Sequence, residues 1–139
     1  MNKVFILSLS ILVFFASCGK DKTNTTTTET TTQKLQHKWN VVSIKDIQYI
    51  GSSTTQIDTI VDYGIAGDYI DFSNNNIAYT RIAGSNDTFL YSVINDTKIM
   101  FDFDTFTINT LSATDLKLTY YGREINPVNN WDNVLTLNR

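Results

Sequence analysis

Between Leu35 and Asn138 apolar and polar residues alternate with a period of two, and the apolar positions are rich in aromatic and β-branched side chains. Successive side chains of a strand face opposite ways, so this pattern reads as strands, and no segment offers a long amphipathic helix. Strands are expected at Trp39 to Ile50, Ile57 to Asp62, Tyr69 to Ser73, Ile77 to Ile82, Thr88 to Ile94, Lys98 to Phe103, Phe106 to Leu111, Leu116 to Tyr121 and Val134 to Asn138. The breaks carry turn chemistry: Asn74-Asn75-Asn76, Gly84-Ser85-Asn86-Asp87, Asn95-Asp96 and Ser112-Ala113-Thr114-Asp115. Asparagine and aspartate tolerate the positive φ of tight hairpins, so each break can join neighbouring antiparallel strands.

Alternation also assigns faces. Phe89, Tyr91 and Val93 share one side, as do Ile99, Phe101 and Phe103, then Phe106 and Ile108, then Leu116, Leu118 and Tyr120. Lys98, Asp102, Thr107, Asn109, Lys117 and Thr119 are expected to face solvent. The fold class is therefore all-β, an antiparallel meander of about eight strands that removes its exposed edges by closing into an up-and-down barrel. A β-sandwich is the alternative, since strand number alone does not separate the two.

Ahead of the strands stand a basic start at Lys3, a run from Val4 to Phe15, and Ala16-Ser17-Cys18-Gly19. The run's twelve residues fall short of the roughly twenty that span a bilayer, so 1–17 reads as a removable signal peptide. Cys18, the only cysteine, resembles the lipid acceptor of bacterial lipoproteins. That resemblance implies an outer-membrane lipoprotein, leaving open whether it faces the periplasm or the exterior. Residues 18–34 then form the lipidated cysteine and a threonine-rich tether, and 35–139 the barrel domain. Removing Lys3 leaves ten basic residues against fourteen acidic ones, a net charge of about −4, which argues against nucleic acid as a partner.

Leu35-Gln36-His37-Lys38-Trp39-Asn40-Val41-Val42-Ser43 resembles the first strand of bacterial lipocalin-like domains, where a glycine two residues before a tryptophan marks the closed end. Here His37 takes the glycine's place. Tyr69-Ile70-Asp71-Phe72-Ser73-Asn74-Asn75 looks like the following strand and turn, and Ile108 to Ser112 with Asp115 to Leu118 looks like the late hairpin. The resemblance covers most of 35–139 and implies a cup floored by Trp39 that binds small apolar molecules.

Catalytic and metal chemistry find little footing. His37 is the only histidine, so neither a multi-histidine metal site nor more than one histidine-dependent triad can be assembled. Asp102 and Asp104 share a strand face in this reading, but Lys98 lies there too and a solvated surface accounts for them. No enzyme, cofactor or metal is expected. Tyr91, Phe101, Phe103, Phe106 and Tyr120 are candidates to line the barrel, either as core or as the wall of a small-molecule site. Gly51 to Asp68 mixes glycines with Ile57, Ile60, Val61, Tyr63 and Ile65, and is expected to fold over the cup with Tyr63 and Ile65 inward. Two functions follow: a lipid-anchored binder of a small hydrophobic ligand, or an accessory lipoprotein with a filled barrel that docks a protein or glycan partner.

Overall fold

The structure, a computed structural model, describes residues 28–51, 55–122 and 130–139. A single-turn helix α1 (Thr31–Leu35) precedes β1 (Lys38–Tyr49), β2 (Gln56–Tyr63), β3 (Tyr69–Phe72), β4 (Ile77–Ile82), β5 (Ser85–Asn95), β6 (Lys98–Phe101), β7 (Asp104–Leu111), β8 (Asp115–Tyr121) and β9 (Asn130–Asn138). All pair antiparallel in one sheet, in the order β2-β1-β3-β4-β5-β6-β7-β8-β9. β9 returns to β1, from Asn40 opposite Asn138 to Tyr49 opposite Asn130, and closes the sheet on itself. The result is an eight-stranded barrel with β2 as one extra strand, not a sandwich.

The hairpins follow the local chemistry with shifts of one or two residues. Ala83 and Gly84 both have positive φ, 50° and 83°, so they form the β4–β5 turn and Ser85 to Asp87 extend β5 against β4. Asn95 begins the next turn by accepting the Thr97 N–H and hydroxyl on Oδ1, which places Asp96 and Thr97 at its tip. Asp102 and Phe103, with φ of 50° and 67°, form the β6–β7 turn. The expected strand to Phe103 therefore stops at Phe101, and Asp102 shares no strand face with Asp104.

β3 to β9 point their apolar positions inward largely as alternation requires. Phe72 packs edge-on against Tyr91 (5.0 Å between ring centroids) and Phe101 (5.8 Å), which in turn meets Phe89 (5.4 Å) and Phe106 (6.0 Å). Such edge-to-face contacts suit the ring quadrupoles, and together with Ile70, Ile99, Leu116, Leu118 and Leu137 these rings form the buried core. Thr119 departs from expectation: it is on the outer face but buried, with its hydroxyl donating to Asn109 Oδ1 at 2.6 Å. A buried hydroxyl needs such a partner, and the neighbouring strand supplies one.

The end of the barrel nearest α1 is closed. Thr30 caps the helix through a reciprocal bond pair with Gln33, and Thr31 Oγ1 donates to Asp96 at 2.6 Å. Leu35 and Trp39 are fully buried there, and the Trp39 indole N–H donates to the Leu35 carbonyl at 2.9 Å. Trp39 thus plugs this end of the barrel. Four of the five residues of α1 lie in the stretch read as tether, and its last residue, the buried Leu35, anchors it.

Candidate functional site

β1 has two partners along one edge. Lys38 to Asn40 pair with β3, whereas Ser43 to Tyr49 pair with β2. β2 and β3 therefore follow one another along β1, separated by Gly64 to Asp68. The Gly64 N–H donates to the Val42 carbonyl at 3.1 Å and the Val41 N–H to the Asp68 carbonyl at 3.1 Å, so the ladder is bonded on both sides of the interruption. Between them Ile65 to Asp68 make a tight turn: the Asp68 N–H donates to the Ile65 carbonyl at 2.9 Å, and Gly67 supplies the positive φ, 94°. The buried Asp68 carboxylate accepts the Ile65 N–H at 3.1 Å and locks the turn from inside.

The turn leaves a gap in the wall. Between it and the β4–β5 hairpin lies a recess of about 260 Å³, lined on the barrel side by Val41, Ile44, Ile82 and Ala83 and on the outer side by Tyr63, Gly64 and Ile65. Two carboxylates, Asp62 and Asp68, border it. Its position at the β4–β5 turn puts it at the end of the barrel away from α1. A second groove of about 230 Å³, bordered by Lys98, Thr105, Thr107 and Tyr121, lies beside the β6–β7 turn and is the more polar of the two.

These features relocate the candidate residues. Tyr91, Phe101 and Phe106 are core members committed to ring packing, and the Tyr91 hydroxyl donates to the Ser73 carbonyl. Burial, and to a lesser degree the Asp71 carboxylate, raises the Tyr91 phenol above its ordinary pKa. Tyr120 is half-buried against Phe106 (5.7 Å) and borders the second groove, its pKa raised by burial and by Asp104. Phe103 was expected inside, but it sits at the tip of the β6–β7 turn with 82% of its surface exposed. Tyr63 and Ile65 also fail to point inward. They are 76% and 62% exposed, because β2 pairs alongside β1 instead of folding over the cup.

Tyr63 alone of the six borders the apolar recess. Val41, Ile44 and Ile82, the residues that shape its inner wall, were read simply as strand positions; the available signal was the pair Gly64 and Gly67 breaking an otherwise apolar segment. His37 stacks edge-on against Trp39 at 6.4 Å at the closed end, apart from the recess. Among the described residues no three of His, Cys, Asp and Glu converge on a point that could hold a metal ion. Cys18 lies outside the described residues. No protein-family model matches this chain, and no curated protein matches it.

Proposed function

We propose that this chain is a lipid-anchored, lipocalin-like binding protein of the outer membrane, and that its ligand occupies the recess between β2, β3 and the β4–β5 turn. The observation that carries this reading is the apolar inner wall of Val41, Ile44 and Ile82. At about 260 Å³ the space lies just below the range of roughly 300–1,000 Å³ typical of drug-sized ligands, so the ligand is small. Burying about 200 Å² of apolar surface contributes roughly 5 kcal/mol before the cost of association, which leaves weak binding unless a polar contact adds to it. Asp68 already accepts the turn's own N–H, whereas Asp62 is exposed at the rim and offers an acceptor. The ligand class is accordingly an apolar body with one hydrogen-bond donor. Its function is binding without catalysis.

The neutral amine probe N-phenyl-1-naphthylamine meets that description. Its fluorescence should rise saturably with the full chain, and Ile82→Trp, which fills the recess from its inner wall, should abolish the rise while leaving the circular dichroism unchanged. A wild-type chain that gives no rise, or an Ile82→Trp variant that gives the same one, refutes the assignment.

The anchor is tested separately. Cys18 supplies the only thiol, so Cys18→Ala should eliminate labelling by radioactive palmitate in cells that process lipoproteins. Labelling that persists rules out attachment at this residue.

A further inference from the structure

We infer that the outer edge of β2 is a docking strand for an extended segment of another protein in which basic and apolar residues alternate. Among the described residues β2 pairs only with β1, so its opposite edge has no neighbour. In an antiparallel ladder, bonded and non-bonded positions alternate. The Gly64 donation to Val42 makes that position bonded, and counting back along β2 directs the peptide groups of Tyr63 and Val61 and the Thr59 carbonyl to the open edge, the Thr59 N–H being taken by Asp58 Oδ1 at 2.7 Å. Exposed edges of this kind are usually blunted by lysine or proline, and β2 contains neither.

The two faces of the strand differ in a way that selects the partner. Asp58, Ile60 and Asp62 stand on one face, opposite Gln48, Asp46 and Ile44 of β1. No basic residue of β1, β2 or β9 is on that face, where β9 contributes Trp131, Asn133 and Leu135. The other face carries Thr59, Val61 and Tyr63. A second copy of the chain fits badly: antiparallel pairing centred on Ile60 sets Asp58 of each copy against Asp62 of the other, and like charges directly opposed are destabilising. A strand with lysine or arginine on the acidic face and apolar residues on the other satisfies both rows as well as the open peptide groups. Strand addition of this type draws affinity from main-chain bonds and specificity from alternate side chains. The inference does not depend on ligand binding in the recess.

The test uses a fluorescent seven-residue peptide of alternating lysine and valine, and a counterpart with glutamate for lysine, titrated against the full chain by anisotropy. The lysine peptide should bind, weaken about three- to tenfold as salt is raised from ~50 to ~500 mM, and outcompete the glutamate peptide. Val61→Pro removes a donor that points to the open edge and leaves the bonds to β1 in place, so it should abolish peptide binding with no change in circular dichroism. Asp58→Lys combined with Asp62→Lys should reverse the peptide preference. Equal binding of both peptides, no binding of either, or full binding by the Val61→Pro variant overturns the inference. So does a wild-type dimer that Val61→Pro disperses, since the occupant is then a second copy.

Discussion

Replacing Trp39 by alanine is expected to destabilise the barrel by about 3–5 kcal/mol, the range for large truncations in a packed core. The side chain is fully buried, and its indole N–H is one of two donors to the Leu35 carbonyl, the other being the His37 N–H at 2.6 Å. Truncation therefore opens a void at the closed end and also takes a partner from a buried carbonyl. Arg139 lies over the same ring, 5.0 Å from its centroid to the guanidinium carbon, so the end of β9 loses a contact as well. The measurement is the denaturant midpoint, which should fall while the slope stays constant. Trp39→Phe separates the two causes: it keeps most of the apolar bulk, loses the hydrogen bond, and should cost only about 1–3 kcal/mol. A midpoint unmoved by Trp39→Ala would show that the tryptophan is not a core residue.

Gly64→Ala should be nearly as damaging although it adds a single carbon. A Cβ at this position would stand 1.9 Å from the Val41 carbonyl oxygen and 2.7 Å from its carbon. Both are backbone atoms, so no side chain can rotate aside, and β1 must part from the β2–β3 segment. A loss of about 2–4 kcal/mol is expected, with loss of probe binding because Val41 and Gly64 both line the recess. Gly84→Ala provides the contrast. Nothing lies within 4 Å of its added carbon, and only its positive φ of 83° opposes the change, worth about 1–2 kcal/mol. If the two variants unfold at the same denaturant concentration, the close approach at Gly64 is not what holds that crossing.

The parts of the fold that sequence could reveal are those in which neighbours along the chain are also neighbours in the sheet. From β3 to β9 each strand pairs with the next, so period and turn chemistry suffice to place Phe89, Tyr91, Ile99, Phe101, Phe106, Leu116 and Leu118 inside. Phe103 misled because the alternation of Ile99 and Phe101 continues through it; the turn at Asp102 and Phe103 contains neither glycine nor asparagine, and nothing local marks the end of the strand. β2 misled for a different reason. Its residues look like those of any other strand, and only pairing at a distance decides that β1 gives its lower edge to β3 and its upper edge to β2. The recess arises from that division, so Val41 and Ile44 cannot be told in advance from ordinary core positions. Trp39 at the closed end was legible only through the resemblance of Leu35 to Ser43 to a lipocalin-like first strand, since nothing in its own alternation sets it apart from other core positions.

The pairing of β1 with β9 joins the first strand of the sheet to the last in chain order. Every other seam joins strands closer along the chain, and contacts of long sequence separation form slowly because the loop entropy is lost before any pairing repays it. The hairpins from β3 to β8 can form in turn, but the barrel cannot seal until β9 joins β1. Until then β1 and β8 each present an unsatisfied edge, the state in which strand proteins aggregate. Closure therefore waits on the last strand of the sheet in chain order. A chain cut before Asn130 would remain an open sheet that invites pairing with its neighbours.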